Sequence, residues 1–406
     1  MAIAVGLSGC AAPLIVRRRR QRQHQQSAGG PPISFASQRK RIRKNDADQT
    51  VHTPKKLLQA VKQPGTTVWI PGPVTLDLTG QSDILIAPDV TIASNRHLGG
   101  GTGALIRFDD YAHLFTVPER GARLTGIRLQ GPQLQYREFP TESETYANAA
   151  YGIWFKGPSG LVDNCELWGW PGYAIGGGTG ETPTQLWIHH NDIHHNQLGG
   201  LGYALESLNG MSLVEWNYFS HYRHVVSGYG HPTNGYEFRC NVVGPPQNPD
   251  PANFPCDMHR LGEQDNFPDH IKTAGNYINV HHNVFELTEE NAMSISGIPT
   301  KYARFVNNWT AHSKDGDGPG EPAVYVPDGA TLKMHDNHFG HDSLQPGRNW
   351  LQQTNKRLPI SNGKPSPSAW MPTRGDTNRN TPSGKTKTQP RMIPPPPGER
   401  PITEVS

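Results

Sequence analysis

Three ionisable residues near the middle of the chain have the types that proton-transfer chemistry requires, namely His224, Asp257 and His259. A histidine that is oriented by a neighbouring carboxylate can act as a general base or as a metal ligand. His224 opens the segment HVVSG, whereas Asp257 and His259 lie further along the chain, in DMHRL. The chain must therefore adopt a fold that brings separate segments side by side.

A recurring asparagine indicates what that fold is. Seven short segments, such as IHHNDI at 188–193 and VHHNVF at 280–285, place an apolar residue three positions before an asparagine. The asparagines are Asn164, Asn191, Asn217, Asn241, Asn283, Asn308 and Asn337. Their spacings are 27, 26, 24, 42, 25 and 29 residues, and the longest one contains an insertion at 245–272. A period in the mid-twenties with short β-type runs predicts a solenoid whose coils stack on one continuous core.

This repeat, over roughly 66–340, resembles the right-handed parallel β-helix superfamily of pectate lyases, polysaccharide epimerases and periplasmic copper-maturation proteins. The resemblance implies an all-β, right-handed parallel β-helix over residues 51–341, with an N-terminal cap near TPKKLLQAVKQ at 53–63. The asparagines would stack at a corner between strand and turn, where they tolerate a left-handed backbone and bond the next coil. The histidines interpreted as corner or turn residues are His190, His194, His195 and His282.

A second strand in each coil can be aligned by its apolar middle residue. The middle residues, which should face the core, are Ile175, Leu205, Val225, Met258, Met293 and Val324. The residues before them form a first outward column of Ala174, Ala204, His224, Asp257, Ala292 and Ala323. The residues after them form a second outward column of Gly176, Glu206, Val226, His259, Ser294 and Tyr325. At a coil spacing of about 4.8 Å, this alignment makes His224 and Asp257 direct neighbours, with His259 beside Asp257.

The strand that precedes each asparagine gives a further outward column. It contains His189, Glu215, Arg239 and His281. Glu237 lies two residues before Arg239, and Asn279 lies two residues before His281. We interpret these columns, together with the insertion, as one functional surface that spans about 187–296. The alternative for His189, Glu215 and His281 is cross-strand charge pairing that only stabilises the sheet.

Lyases and epimerases of the superfamily abstract the proton α to a uronate carboxylate, so the resemblance implies a base, a neutralising cation and an acid. The implied catalytic residues are His224, Asp257, His259, Arg239 and Lys272. The implied substrate-binding residues are Glu206, Glu237, His189, Glu215, His281, Tyr229 and Tyr236. In this scheme Asp257 would orient His224 or His259 as the base. Arg239 or Lys272 would neutralise the carboxylate, and Tyr229 or Tyr236 would donate a proton.

Other activities stay open. The segment DMH at 257–259 approaches the alginate epimerase motif DPHD, but Arg260 replaces its last aspartate. Glycoside hydrolysis is an alternative reaction, and a surface protein that binds carbohydrate without catalysis is an alternative function. A metal-binding β-helix is a further alternative, because thiolates of Cys240 and Cys256 would suit copper or zinc. No cofactor is specified by the sequence, although bound calcium would reverse the local field around an acidic polymer.

The charge distribution separates the chain into a body and two tails. Lys and Arg outnumber Asp and Glu by 10 in residues 1–60 and by 6 in residues 341–406, whereas residues 61–340 carry a net charge of −13. We predict disordered basic tails at 1–50 and 342–406, because they contain little apolar surface to bury. The acidic body argues against nucleic-acid binding at the core, and we predict a monomer. LSGC at 7–10 matches a lipobox, which predicts lipidation of Cys10, membrane anchoring and an extracellular or cell-envelope location.

Overall fold

The computed structural model describes residues 41–96, 98, 100–244, 255–259, 273–287, 291–311 and 323–339. The proposed tails, with Cys10, lie almost entirely outside the described residues, and so does Lys272. The described residues form 29 strands, which belong to three all-parallel sheets, and two short α-helices. None of these helices is long and apolar enough to cross a bilayer.

Sheet A contains, in spatial order, β1 (Gln49–Thr50), β2 (Thr67–Trp69), β5 (Thr91–Ala93), β8 (Ala122–Thr125), β11 (Ser159–Asp163), β14 (Thr184–His189), β17 (Gly210–Glu215), β20 (Gly235–Arg239), β23 (Tyr277–His281), β26 (Tyr302–Val306) and β29 (Leu332–His335). Sheet B contains β3 (Thr75–Asp77), β6 (Leu105–Arg107), β9 (Arg128–Gln130), β12 (Glu166–Trp168), β15 (Asp192–Asn196), β18 (Tyr218–Tyr222), β21 (Val242–Val243), β24 (Val284–Phe285) and β27 (Trp309–Thr310). Sheet C contains β4 (Ile84–Leu85), β7 (His113–Val117), β10 (Tyr151–Phe155), β13 (Tyr173–Gly177), β16 (Tyr203–Ser207), β19 (His224–Gly228), β22 (Cys256–Met258), β25 (Met293–Ile295) and β28 (Val324–Tyr325).

Each strand pairs with the strands three places before and after it in the chain, so every coil contributes one strand to each sheet. This arrangement is a right-handed parallel β-helix, as the repeat predicts. Inward side chains form continuous rows because strand residues alternate between the two faces of a sheet. Between sheets A and B the inward side chains stack Phe219, Phe238, Phe285 and Phe305, which come alternately from the two sheets, with ring centroids 5.8 to 6.2 Å apart. Each fully buried phenylalanine stabilises the fold by roughly 1.5–3 kcal/mol.

The asparagine ladder is confirmed, but it differs from the prediction in the residue of its first coil and in the position of the left-handed backbone. From Asn191 onwards, the side-chain Oδ1 of each asparagine accepts the backbone N–H of the equivalent residue in the preceding coil, at 2.8–3.0 Å. The first donor is Cys165, so Cys165 holds the ladder position that the sequence alignment gave to Asn164. The left-handed residue is the one before the ladder position. These residues, all with φ of 52–60°, are Asn164, His190, Trp216, Cys240, His282, Asn307 and Asp336.

The register of sheet C differs from the sequence alignment by one residue in β19 and by two residues in β22. Val226 pairs with Leu205 on one side and with Cys256 on the other. The inward row therefore continues through Val226 and Cys256, rather than through Val225 and Met258. The N–H groups of Val225 and Val226 both donate to the carbonyl of Pro255, at 3.1 and 2.8 Å. Both valines are apolar and buried, so hydrophobic alternation alone could not fix the register.

Both helices cover apolar surface. Helix α1 (Pro54–Ala60) begins after Thr53, whose side chain accepts the N–H of Lys56, and it buries Leu57 and Ala60 against the main core. Helix α2 (Glu142–Ala147) belongs to the long connection between β9 and β10. Residues at either end of that helix pack with the turn near Leu198 and with tyrosines of sheet C in a second apolar cluster. This connection therefore shapes the outer surface beside sheet C.

Candidate functional site

One outward column of sheet C contains two of the candidate site residues, Glu206 and Asp257. Strand pairing places Glu206 beside Ser227 and Ser227 beside Asp257, in three successive coils. At about 4.8 Å per coil, the Cα atoms of Glu206 and Asp257 lie about 10 Å apart. Asp257 therefore belongs to the column of Glu206, and His224 pairs instead with Tyr203. The fold therefore brings together residues that lie far apart in the sequence.

Both histidines of the candidate group lie near Asp257 despite the altered register. Nε2 of His259 is 3.0 Å from Oδ2 of Asp257, and Nε2 of His224 is 3.8 Å from the same oxygen. The hydroxyl of Ser227 is 3.3 Å from Nε2 of His259. Asp257 is only 4% exposed. Burial acts to raise the pKa of Asp257, but the neighbouring His259 and His224 outweigh it and the pKa is lowered.

The two histidines have different surroundings. His224 is 1% exposed, and its Nε2 lies 2.9 Å from Nη1 of Arg223. Since a guanidinium can only donate, Nε2 of His224 is the acceptor in this contact. The His259 side chain is 20% exposed and thus borders solvent. Of the two, His259 is the histidine that a substrate can reach.

Glu206 has the opposite electrostatic character to Asp257. Its side chain is partly exposed, and burial raises its pKa to about 7, while His259 lowers it to a smaller extent. Burial, supplemented by the charge of Glu206, raises the pKa of Tyr151 to about 12 and also raises that of Tyr173. Two carboxyl groups with oppositely shifted pKa values in one column are typical of acid–base sites.

An aromatic column runs beside these groups and was not detected from the sequence. It contains His113, Tyr151, Tyr173, Tyr203 and His224 in successive coils. Ring centroids are 4.3 Å apart for His113 and Tyr151, and 5.3 Å apart for Tyr203 and His224. Three of its members are tyrosines at the first position of β10, β13 and β16, and this shared position is the signal that could have revealed the column. On the other side of the group, the Tyr229 ring lies 6.3 Å from His259.

Tyr236 does not belong to the candidate site. It is fully buried in the core, and its hydroxyl donates to the backbone carbonyl of Asp257 at 3.1 Å. The assignment of Tyr236 as a substrate-contacting acid is wrong, because Glu237 faces outward and strand alternation turns its neighbour inward. Tyr236 therefore stabilises the backbone of β22 from the core side.

The remaining predicted residues form a separate group on sheet A. The predicted column of His189, Glu215, Arg239 and His281 is confirmed by the strand pairing. Arg239 contacts Glu215 and Glu237, each at 2.7 Å, and His281 lies 3.2 Å from Glu237. Burial acts to raise the pKa of Glu237, but the hydrogen bond with His281 and the charge of Arg239 bring it down to about 2. The single surface expected from the sequence is therefore two groups on two sheets.

The other histidines of this region are structural. His189 and His190 share a contact between their Nδ1 atoms at 2.8 Å, and His281 and His282 do the same. One nitrogen of each contact must donate and the other accept, so neither pair is doubly protonated. Burial lowers the pKa of His189 to about 3 and that of His190 to about 4. These rings remain neutral at physiological pH.

The chain is weakly similar to a protein of known structure. The crystal structure of alginate lyase from Paenibacillus sp. str. FPU-7 is similar, with a TM-score of 0.44 and 12% sequence identity. The similarity covers 72% of this chain and 100% of that chain. No protein-family model and no curated protein matches the sequence. At such identity, residue roles do not carry over from one chain to the other.

The described residues offer limited support for metal binding. Glu166, Asp192 and His194 bring three ligand atoms within 4.8 Å of one another. Arg96 lies 3.6 Å from Glu166 and 3.7 Å from Asp192, so a guanidinium already provides the balancing charge. Cys240 lies at the corner between β20 and β21, whereas Cys256 lies in β22. Both are buried, and burial raises the pKa of both thiols. This environment does not favour a thiolate metal site.

Proposed function

We propose that the outer face of sheet C is the active site of a lyase or epimerase that abstracts the proton α to a carboxylate in an acidic, uronate-containing polysaccharide. The observation that carries this proposal is the contact of a partly exposed histidine, His259, with a buried carboxylate, Asp257. Asp257 orients the imidazole and stabilises the positive charge that the ring gains with the proton. In the neutral tautomer that carries its proton on Nε2, the Nδ1 atom of His259 takes the substrate proton.

Arg223 is the group that neutralises the substrate carboxylate in this proposal. It is partly exposed, its guanidinium contacts His224 at 2.9 Å, and its charge helps to lower the pKa of Asp257. A cation at this position stabilises the negative charge that develops on the carboxylate when the α proton leaves. Arg223 takes the role that the sequence gave to Arg239, whose guanidinium is held by two carboxylates on sheet A.

Tyr229 provides the acid. In the lyase reaction, the electron pair of the broken C–H bond forms a C=C bond, the glycosidic C–O bond breaks, and Tyr229 protonates the departing oxygen. In the epimerase reaction, a proton returns to the same carbon from the opposite face, and no glycosidic bond breaks. The distance of 6.3 Å between the Tyr229 and His259 ring centroids supports this assignment of acid and base.

The test is to incubate the purified chain with alginate, polygalacturonate and glycosaminoglycans. Ultraviolet absorbance of an unsaturated uronate is the expected product signal for a lyase, and incorporation of solvent deuterium at the α carbon is expected for an epimerase. His259→Ala should abolish either signal. If the wild-type chain gives neither signal on any of these polymers, the proposal is wrong.

A second candidate is hydrolysis with inversion, and a specific observation favours it. Glu206, with a pKa of about 7, and Asp257, with a lowered pKa, have the character of a general acid and a general base. Their column positions place the Cα atoms about 10 Å apart, which is compatible with the separation of about 6.5–9.5 Å between the carboxyl groups of inverting glycosidases. New reducing ends of inverted configuration, without ultraviolet absorbance, would identify this reaction and contradict elimination.

A further inference from the structure

A cation lies two coils before Glu206 on the same face of sheet C. Trp154 pairs with Gly176 and Gly176 pairs with Glu206, so Trp154 is in the Glu206 column. Nζ of Lys156 is 3.9 Å from the centroid of the Trp154 ring. Among the residues that the structure describes, no carboxylate forms an ion pair with Lys156. The charge of this lysine is held in place by an aromatic ring and is not neutralised by a nearby acid.

The orientation of Trp154 is fixed by its neighbours. Its indole N–H donates to the carbonyl of Gly178 at 3.0 Å, and its ring stacks on His113 with centroids 5.2 Å apart. Trp154 therefore acts as a support for the lysine stem. Both Trp154 and Lys156 are partly exposed, so the ammonium group remains accessible to a ligand.

The column position between Trp154 and Glu206 is occupied by a buried glycine, Gly176. A Cβ at Gly176 would lie 2.6 Å from Cε2 of Tyr173, so the tyrosine ring excludes any side chain at this position. Consequently no side chain of the column rises between Trp154 and Glu206. A linear polymer that lies along the column can extend from His259 past Glu206 to Lys156.

We propose that Lys156, supported by Trp154, binds the carboxylate of a second uronate residue in the same polymer, several sugars away from the residue that reacts. This inference rests on the proposed function for the position of the reacting sugar. It assigns the polymer direction along the β-helix axis, from β22 towards β10. It also explains how a body with a net charge of −13 over residues 61–340 can hold a polyanion, because Arg223 and Lys156 flank Glu206 along the axis.

The test compares Lys156→Gln with the wild-type chain on length-defined oligouronates, from disaccharide to octasaccharide. We expect KM to rise about fivefold for the long oligomers, the effect of one partly exposed ion pair, with kcat unchanged. The shortest oligomer that reacts should show the wild-type KM, and Lys156→Arg should restore the KM of the long ones. Equal KM values for the variant and the wild type at every length would overturn the assignment, and so would a fall in kcat.

The matched control is Lys333→Gln. Nζ of Lys333 lies 5.0 Å from the Tyr302 ring centroid, so it makes the same type of contact on sheet A. This control should leave KM unchanged at all lengths. Retardation of the polymers in an affinity gel at low salt separates binding from catalysis. Weaker retardation of Lys156→Gln than of Lys333→Gln, in a chain without turnover, would refute the proposed reaction but retain the binding site. Equal retardation of the two variants would refute the binding site.

Discussion

Oδ2 of Asp257 and Nε2 of His259 lie 3.0 Å apart at the outer face of sheet C. Comparable contacts between a carboxylate and a histidine occur on the other sheets, at 3.2 Å for Glu237 and His281 and at 3.5 Å for Glu166 and His194. In both of those, an arginine also contacts the carboxylate. The Asp257 contact differs because Ser227 and the partly exposed Glu206 occupy the same column. This difference is the basis for placing catalysis on sheet C.

Asp257→Asn should lower kcat by roughly 10²–10⁴-fold, because an amide cannot stabilise the imidazolium that His259 forms. Initial rates of the ultraviolet signal measure the effect. The matched control is Glu166→Gln on sheet B, which also removes a carboxylate next to a histidine. The control should retain the wild-type kcat at a temperature where both variants are folded. Equal loss in the two variants would show that the effect is structural.

Arg223→Gln should lower kcat/KM by about 100-fold, because the developing charge on the substrate carboxylate loses its partner. Arg223→Lys should recover part of this loss. Arg239→Gln provides the contrast, since it disrupts the sheet A group and should lower the thermal midpoint of unfolding with little effect on kcat/KM. The opposite result, activity lost with Arg239 and kept without Arg223, would restore the role predicted from the sequence.

Glu206→Gln should change how stability depends on pH. The folded-state pKa of about 7 lies above the ordinary value of 4.5, so the folded chain binds this proton more tightly than the unfolded chain. Wild-type stability therefore falls as the pH rises from about 4.5 to about 7, and the variant escapes this loss. Thermal midpoints should agree below pH 4.5 and be higher for the variant above pH 7. The exposed Glu119→Gln provides the control, and a midpoint difference that is independent of pH would refute the prediction.

Asn241→Ala should destabilise the fold by roughly 3 kcal/mol. Oδ1 of Asn241 accepts from the backbone and side chain of Asn217, and its Nδ2 donates to Val214 and Asn283, all in a buried environment. The substitution leaves several of these buried groups without a partner. Asn337→Ala, at the partly exposed end of the ladder, should cost less. Denaturant titration of both variants measures the difference, and equal losses would contradict this view of the ladder.

Thiol accessibility tests the metal alternative. Cys165, Cys240 and Cys256 are buried, and burial raises the pKa of each thiol, that of Cys165 to about 12. In a variant without Cys10, none of the three should react with a thiol reagent at neutral pH until the chain unfolds. Rapid reaction of the native chain, suppressed by added copper or zinc, would instead favour metal binding.

The fold was predictable from the sequence because its main determinant repeats. One amide at each corner is sufficient to reveal the period, and the apolar residues around it define the strand that precedes it. The register of sheet C was not predictable, since the neighbouring apolar residues Val225 and Val226 fit the inward position equally well. Position Asn164 was misassigned for a similar reason, as a left-handed corner and a ladder position both accept asparagine.

The candidate site was predictable only in part. The residues His224, Asp257 and His259 meet because they fall in adjacent coils, which a register error of one or two residues does not change. Arg223 was missed because it lies one residue before β19, and the column alignment included only strand residues. The shifted pKa of Glu206 depends on burial among groups from other coils and from the connection near α2, and no local pattern contains that information.

The ladder accommodates very different lengths of chain between its members. Asn217 and Asn241 are 24 residues apart and Asn241 and Asn283 are 42 apart, yet the N–H to Oδ1 distance is 2.9 Å in both. The frame thus imposes no limit on what is inserted between two corners. Evolution, or a protein engineer, can lengthen or exchange the connection that follows β21, while the stacked coils that hold Asp257 stay the same.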